Sequence, residues 1–512
     1  MAEYVLTAVD TTQIQGYVFG SNKLKENIGG SEMVELATHQ WVYEALPPNS
    51  NVVDRIAGKL DDSRTIDTLD AEVIYAGGGN TVILFSAIDT ARAFASKLTR
   101  RVLKEAPGLE LVVAHRCFDW ENDSLAEVVS KTLGSDLARK KQNRVAPMPL
   151  LGLGVTKPCN STGLVASQIV EGKPVSREIK AKSDGRVQEH SQARLAEMMN
   201  RIRLGGWHVP LDLDDLGRLK GEESYIAVIH ADGNGMGKRV EKISAQYNTP
   251  AQNRDYIQAM RNFSESLKNT ATVALQKVVD LMADAFRNDD ELADHHRRKF
   301  PLRPIVFGGD DVTFVCHGSY GLSLAVRYLE AFEEATAAES AFDGKPAYAC
   351  AGVAIVKTHY PFARAYRLSE RLCHSAKQML KEAKVDGSAL DWHIAMSGIT
   401  GSLQDIRDRE YTPPSGLIYM RPVLLRQSSS TWRTWPDFKA ILDKFIDEDG
   451  DWFNRRNKVK ALREALREGP EAVTDFLHTY QLDALSKIVS SSVSGYDNSG
   501  WTGNRCVYFD AI

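Results

Sequence analysis

Three aspartates in the second half of the chain have the chemistry and the setting of a metal site. Asp310 and Asp311 stand side by side in PIVFGGDDVTFVCHG, residues 304–318, between two runs of buried-looking residues. Asp232 ends the strand-like segment YIAVIHAD. Three carboxylates brought within a few ångströms of one another would drive one pKa sharply upwards unless a cation neutralised them. Oxygen ligands of this kind suit Mg²⁺ or Mn²⁺, so we expect two such ions at these aspartates.

Two divalent ions held by aspartates support in-line phosphoryl transfer. One ion activates an attacking 3′-hydroxyl group, and the other stabilises a leaving pyrophosphate. The glycine-rich GNGMGK that follows Asp232 exposes backbone N–H groups suited to a triphosphate. Basic side chains on the helix predicted over 362–384 would neutralise the charge that develops on the phosphates. The predicted nucleotide-binding residues in the loop and the hairpin are Gly233, Asn234, Gly235, Met236, Gly308 and Gly309.

The order of predicted elements occurs twice along the chain. A strand, a helix, a hairpin, a second helix and a third strand follow one another in each half, which is the order of a split βαβ, ferredoxin-like domain. We therefore predict an α+β protein with two such copies. The first copy uses residues 4–10, 31–46, 71–87, 89–106 and 109–118, and the second uses 224–232, 254–287, 302–318, 322–338 and 347–357, followed by a helix over 362–384 and a strand over 388–397.

The two hairpins differ in charge. When AGGGNTVILF is aligned with FGGDDVTFVC, Gly79 stands opposite Asp310 and Asn80 opposite Asp311, while Asp10 takes the place of Asp232. A GGDD sequence by itself is typical of an ordinary hairpin turn. Because the turn glycines occur in both copies and the paired carboxylates only in the second, the turn does not account for the charge. We predict a metal site in the second copy alone, with the first completing a cleft for two nucleotides.

Four regions are predicted from these patterns. They are the first copy over 1–150, a connector over 151–220, the second, catalytic copy over 221–400 and a C-terminal helical domain over 401–512. His230 is expected to be packed or structural, and His317 to be a solvated loop residue.

Composition limits the classes of function. The formal charge of −4 and a pI near 6.3 give no global basic field for nucleic acid, so any such contact is expected to be local, for example around LARKKQNR at 137–144. The first residues lack the basic and then apolar pattern of a signal peptide, and no run approaches 18 apolar residues, so we expect neither a signal peptide nor a membrane span. The six cysteines are scattered without a CxxC pair, which predicts reduced thiols in a cytoplasmic protein.

HADGNGMG together with FGGDD resembles the catalytic palm of the type III CRISPR polymerase-cyclase, the large Cas-ten (Cmr-two) subunit, which is related to GGDEF-type nucleotide cyclases. TTQIQGYVFGSNKLKENIGGS and YAGGGNTVILF are similar to its first, non-catalytic palm, and SERLCHSAK followed by GSALDWHIAMSG to its later helix and strand. The resemblance implies synthesis of cyclic oligoadenylates from ATP. It implies catalysis by Asp232, Asp310 and Asp311, with Gly233 as a further metal ligand. Lys377 would contact phosphate, with Lys381 and Lys384 as further candidates.

The chain departs from that family in two respects. The first palm begins at once, so the DNA-cutting activity of an HD-type nuclease domain is not expected. The family has zinc-binding cysteines between its palms. In this chain only Cys159 stands where one of them would be expected, so no zinc is expected.

Two functions remain open from the sequence. The first is a nucleotide cyclase or oligonucleotide synthetase. The second is a scaffold subunit of an RNA-guided complex with little or no catalysis. In either case the expected partners are ATP, guide or target RNA and small CRISPR effector subunits, without a membrane.

Overall fold

The computed structural model describes residues 3–77, 79–144, 152–199, 209–217, 224–287, 299–395, 401–485 and 498–512. Within them no helix combines the length and the apolar composition needed to cross a bilayer. The strands are β1 (Glu3–Thr12), β2 (Val52–Asp54), β3 (Lys59–Leu60), β4 (Ala71–Gly77), β5 (Asn80–Phe85), β6 (Glu110–Asp119), β7 (Gln168–Val170), β8 (Lys173–Val175), β9 (Tyr225–Gly233), β10 (Leu302–Val306), β11 (Asp311–His317), β12 (Ala349–Lys357), β13 (Ala389–Ala395), β14 (Val423–Leu424), β15 (Trp501–Thr502) and β16 (Arg505–Cys506).

Helices connect these strands and cover the two large sheets. The α-helices are Ile14–Val18, Leu24–Thr38, Gln40–Ala45, Ile88–Glu105, Leu125–Lys131, Ala138–Gln142, Arg177–Lys182, Gly185–Met199, Asp214–Gly217, Met236–Gln246, Asn253–Arg287, Gly321–Ala338, Phe362–Ala383, Leu403–Glu410, Trp435–Ile446, Arg456–Glu468 and Pro470–Thr479. A π-helical turn covers Thr132–Leu137, and short 3₁₀ turns cover Pro250–Gln252, Gly318–Tyr320, Ser340–Phe342 and Phe509–Ala511.

The two predicted copies form two separate sheets with the same central order. The first sheet runs β4-β5-β1-β6, and every neighbouring pair is antiparallel. The second runs β10-β11-β9-β12-β13-β14 and contains the corresponding four strands at one side. β13 pairs with β12 in parallel and extends this sheet. The predicted α+β class with two ferredoxin-like copies is confirmed.

Strand β9 is buried on both faces because helices cover both sides of its sheet. Ala227, Ile229 and Ala231 face the core formed by the helices Asn253–Arg287 and Gly321–Ala338. Ile226 and Val228 face the opposite side, where Phe362 and Tyr366 pack. Side chains alternate along a strand, so His230 and Asp232 lie on this second side. We call the helix that covers it, Phe362–Ala383, the lysine helix.

The two copies pack directly on one another. Phe19 of the first copy stacks on Tyr366 of the lysine helix, with 3.7 Å between ring centroids. The backbone N–H of Phe362 donates to Asn22 Oδ1 at 3.0 Å. On another side, Arg261 on the long helix Asn253–Arg287 donates from Nη2 to the buried Glu72 at 2.9 Å. These contacts fix the first hairpin relative to the second.

The C-terminal helices share a hydrophobic core with the second copy. Phe438, Leu462 and Trp501 belong to the same buried cluster as Trp392 of β13. The predicted boundaries near 150, 220 and 400 each fall at residues outside the described parts of the chain, as do the last residues of the strand expected over 388–397. The four-region division therefore stays a prediction.

Candidate active site

The three predicted aspartates lie at one end of neighbouring strands. Asp232, near the end of β9, is the register partner of Asp311, the first residue of β11. Asp310 precedes Asp311 in the hairpin turn, and its carbonyl oxygen accepts a hydrogen bond from the N–H of Gly233 at 3.1 Å. This bond holds the turn against the end of β9 and brings all three aspartates to the same sheet edge.

The electrostatics of Asp310 show an excess of negative charge. Burial raises the pKa of its carboxyl group to about 6, and the neighbouring charges of Asp232 and Asp311 act in the same direction. A divalent cation at this position would remove the repulsion, and the carboxylate and carbonyl oxygens present are donors that Mg²⁺ accepts. The donor chemistry therefore fits a divalent cation, although no three His, Cys, Asp or Glu side chains of the described residues are already grouped as a metal site.

A lysine neutralises Asp232 in this structure. Lys377 on the lysine helix donates from Nζ to Asp232 Oδ2 at 2.6 Å and to the carbonyl oxygen of Gly233 at 3.1 Å. Burial would lower the pKa of Lys377, but the charge and hydrogen bond of Asp232 outweigh it and raise that pKa. Lys377, which was predicted to contact phosphate, therefore contacts two of the predicted metal ligands, Asp232 and Gly233.

A histidine contacts the other strand aspartate. His230 is buried, and its Nδ1 lies 3.2 Å from Asp311 Oδ1 and 3.3 Å from Thr313 Oγ1. Its ring packs edge-on against Tyr366 at 5.6 Å. Burial alone would lower the pKa of His230, but the hydrogen bond and charge of Asp311, with the charge of Asp232, raise it. The sequence predicted a packed histidine and missed its contact with Asp311; the alternation along β9, which places residues 230 and 232 on one face, is the signal that could have found it.

Two N–H groups of the glycine-rich loop already donate to backbone carbonyl oxygens. Gly233 N–H donates to Asp310, and Asn234 N–H donates to the Tyr348 carbonyl oxygen at 2.8 Å. The helix Met236–Gln246 begins directly after Gly235, which adopts a left-handed conformation with φ of 69°. Because the first N–H groups of a helix have no partner within it, the amides from Gly235 onward are the ones suited to an anion.

The β10–β11 hairpin requires glycine at one position. Gly308 has a φ of 113°, a conformation that other residues rarely adopt. Gly308 and Gly309 line a cavity of about 620 Å³ that lies between the two copies. From the first copy, Gly77 and Asn80 line the same space, so the two hairpin tips face one cleft as the sequence predicted.

A second cavity, of about 590 Å³, lies on the other side of the glycine-rich loop and has a cationic lining. It contains three predicted residues of the lysine helix and its end, Lys377, Lys381 and Lys384. Two further cations, Lys238 and Arg239, come from the helix that starts after Gly235. The residues of this cavity could bind a polyphosphate beside the aspartates.

The equivalent position in the first copy has a different chemistry. Asp10 is the register partner of Asn80, and its Oδ2 accepts from Lys141 Nζ at 2.5 Å. The other cations of the segment 137–144 also have partners, since Lys140 donates to the Val113 carbonyl oxygen at 2.6 Å and Arg144 pairs with Glu110. The cations of this basic segment are therefore largely paired with groups of the first copy.

One prediction about a histidine was wrong. His317 is buried, and its Nδ1 accepts from the N–H of Ser319 at 3.3 Å, because it ends β11 and caps the following turn. It is a structural residue and not a solvated loop residue.

Comparisons with known proteins identify similar folds. Residues 225–385 match the family model described as Cas10/Cmr2, second palm domain. No curated protein matched the chain. The whole chain resembles crystal structures of a Csm1–Csm4 cassette in complex with cA4 (TM-score 0.54, 14% identity, 100% of this chain and 69% of that one), with AMPPNP (0.53, 14%, 100% and 69%) and with pppApApA (0.54, 13%, 100% and 68%). At this level of identity the likeness establishes the fold.

Proposed function

We propose that the chain converts ATP into cyclic oligoadenylates in type III CRISPR defence, on the premise that residues 225–385, which match the second palm domain of Cas10/Cmr2, are such a domain. The observation that carries the proposal is the pairing of Asp232 with Asp311 across two strands, with Asp310 held beside them. Among the two copies this set of carboxylates occurs only in the second.

The residues that would hold two Mg²⁺ or Mn²⁺ ions are Asp232, Asp310, Asp311 and the carbonyl group of Gly233. Such ions, when bound, would activate the attacking 3′-hydroxyl group and stabilise the leaving pyrophosphate. Lys377 would then be released from Asp232, since a cation neutralises that carboxylate in its place. It would remain within the cationic cavity that it already lines.

The donor triphosphate would occupy this cationic cavity. Lys377, Lys381 and Lys384 would balance its charge, and the first N–H groups of the helix Met236–Gln246 would donate to its oxygens. The acceptor nucleotide would occupy the cleft between the two copies. That cleft brings Asn80 of the first copy to the same space as Asp310, with Tyr256 and Phe263 among its apolar walls.

The same comparisons support a place in an effector complex. The similar crystal structures contain Csm1 together with Csm4, so we propose a small CRISPR effector subunit as a partner, with guide or target RNA as a further one. A scaffold role with little catalysis is the second candidate. It is favoured by the Lys377–Asp232 ion pair, which occupies a ligand that catalysis requires.

A direct assay separates the two functions. The full chain is incubated with ATP and Mg²⁺, with and without RNA, and the products are resolved by mass spectrometry. We expect pyrophosphate and cyclic oligoadenylates from the unaltered chain and none from the Asp310→Ala/Asp311→Ala variant. Asp89→Ala, which removes an exposed carboxylate of the first copy that does not line the cleft, is the control. Absence of pyrophosphate under every condition, or its undiminished release from the double variant, would favour the scaffold.

A further inference from the structure

A cleft lined by arginines lies outside the candidate active site. We call it the arginine cleft and define it by Arg407, Arg433 and Arg505, which line a cavity of about 660 Å³. One wall is the lysine helix, through His374 and Gln378. The cavity shares no lining residue with the cationic cavity beside the aspartates.

Arg407 is the fixed base of this cleft. Its Nη2 donates to both carboxylate oxygens of the fully buried Asp391 at 2.7 Å, and its Nη1 donates to Ser375 Oγ at 3.0 Å. Both oxygens of Asp391 are therefore bound to Arg407. Arg407 Nε is buried and has no hydrogen-bond partner among the described residues.

Neither Arg433 nor Arg505 has a carboxylate within ion-pair distance in the described parts of the chain, although the charge of Asp391 acts on Arg433 and that of Asp510 acts on Arg505. Arg433 donates from Nε to the Met420 carbonyl oxygen at 2.7 Å, and Arg505 donates from Nη1 to the Tyr419 carbonyl oxygen at 3.1 Å. Burial, and then the charge of Arg505, lower the pKa of Arg433 to about 10. Each of these two partly buried guanidinium groups has five N–H donors, and the backbone carbonyl oxygens named above accept from only one nitrogen of each.

Neighbouring acidic groups do not fill this role. Asp510, which lies behind the cleft, pairs with Arg421 at 2.6 Å. Glu370 and Glu382 line the helical wall, but neither is within ion-pair distance of the three arginines in the described residues. Arg407 and Arg505 both lie 5.1 Å from the ring centre of Tyr419, which holds their guanidinium planes in place. The donors are therefore fixed before a ligand arrives.

From this geometry we propose that the arginine cleft is a binding site for a phosphate-bearing anion, with Arg433 and Arg505 as its principal donors. Planar guanidinium groups match phosphate oxygens in paired hydrogen bonds, and fixed, partly desolvated donors bind anions more strongly than surface lysines do. The ligand is a phosphate ester or polyphosphate, carried either by a free nucleotide or by an RNA backbone. This site goes beyond the proposed function and does not depend on it.

Binding is measured on the full chain in EDTA, so that catalysis does not contribute. The probes are inorganic tripolyphosphate, by titration calorimetry, and a fluorescein-labelled single-stranded RNA, by anisotropy. We expect Arg433→Gln/Arg505→Gln to weaken the affinity for at least one probe about tenfold or more, since hydrogen bonds to charged groups contribute at least that much. Arg456→Gln, an exposed arginine of the same C-terminal region, should leave both affinities unchanged within about twofold because surface charges contribute little.

Each outcome decides the question. Loss of tripolyphosphate binding assigns the site to small phosphates, and loss of RNA binding alone assigns it to a nucleic-acid backbone. The proposal is overturned if neither probe binds, if the arginine variant binds like the unaltered chain, or if only Lys381→Gln/Lys384→Gln removes binding. Arg505→Gln alone, which loses one backbone hydrogen bond, guards against misfolding; its melting temperature is compared with that of Arg456→Gln.

Discussion

The two copies have the same backbone at the sheet edge and different chemistry on it. Asp10 pairs in register with Asn80 as Asp232 pairs with Asp311. In each copy the strand aspartate also receives a lysine from a helix that follows the last strand of the repeat, Lys141 in the first and Lys377 in the second. The internal repeat therefore extends one helix further than the βαββαβ unit.

Three positions carry the difference between the copies. Gly79 replaces Asp310 and adopts a φ of 85°, whereas Asp310 is not in a positive-φ conformation. Asn80 replaces Asp311, and Ala8 replaces His230 at the same distance before the strand aspartate. The carbonyl oxygen of residue 79 still accepts from the N–H of Thr11 at 3.2 Å, as residue 310 does from Gly233. The two copies thus share this backbone hydrogen bond, while the first copy lacks the paired carboxylates of the hairpin.

Exchanging the matched hairpin residues should give the largest effect. Asp311→Asn makes the second hairpin resemble the first and should lower pyrophosphate release from ATP about a thousandfold, because a metal ligand supplies several kcal/mol of charge stabilisation. The reverse change, Asn80→Asp, should lower the rate far less, because Gly79 replaces the third carboxylate there and Lys141 pairs with Asp10. Comparable losses in both variants would mean that the copies share the catalysis.

Substitution of Lys377 and substitution of Lys141 should affect the rate of pyrophosphate release differently, by about a hundredfold. Lys377→Gln is expected to lower the rate by that factor, because one lost donor to a developing phosphate charge costs about this much. Lys141→Gln removes a partly exposed ion pair and should leave the rate unchanged. Steady-state kinetics with ATP check both variants. Equal effects, or none for Lys377→Gln, would assign Lys377 a purely structural role.

His230→Ala introduces the residue that the first copy has at this position. We expect a loss of about ten- to a hundredfold in affinity for Mn²⁺, because residues that orient a metal ligand contribute by this amount. Mn²⁺ binding to the nucleotide-free chain is followed by electron paramagnetic resonance. His230→Gln, which can still hydrogen-bond Asp311, should restore part of the affinity. If His230→Ala leaves the Mn²⁺ affinity unchanged, His230 does not orient Asp311.

The smallest effect concerns the turn itself. Gly79→Ala should destabilise the chain by about 1–2 kcal/mol, because a left-handed conformation costs an L-residue that much. An added Cβ would also lie 3.0 Å from Ile14 Cδ1. Asp310→Ala should show no such loss, since burial and like charges already disfavour its ionised form. Urea midpoints of the two variants test this difference; a stable Gly79→Ala variant would mean that the turn tolerates side chains.

The sequence predicted the fold and the paired aspartates because both leave local patterns. Alternating apolar residues and repeated turn glycines located the strands of both copies, and the resemblance over the second palm domain is confirmed by the family model. The order of elements placed the strand of Asp232 beside the hairpin, and the structure adds the pairing of Asp232 with Asp311. The roles assigned to the site residues, the two ions and the absence of zinc stay predictions.

Other features depend on distant contacts and could not be predicted locally. The contact of Lys377 with Asp232 joins residues 145 positions apart, and the burial of His317 depends on how the end of β11 packs. The use of two loop amides in backbone bonds depends on residues 310 and 348. Charge and glycine content predicted an anion loop, whereas only tertiary structure shows which of its N–H groups remain available.

The second copy and the C-terminal helices share one continuous hydrophobic core, and this affects how the protein unfolds. Trp392 of β13 packs against Phe438 with 4.8 Å between ring centroids, and Leu462 and Trp501 belong to the same cluster. Cutting the chain near residue 400 would expose this apolar surface to water, at a cost of about 25 cal/mol for each Å² uncovered. The second copy and the C-terminal helices should therefore unfold together in one cooperative transition, and limited proteolysis should not release a folded fragment of the second copy.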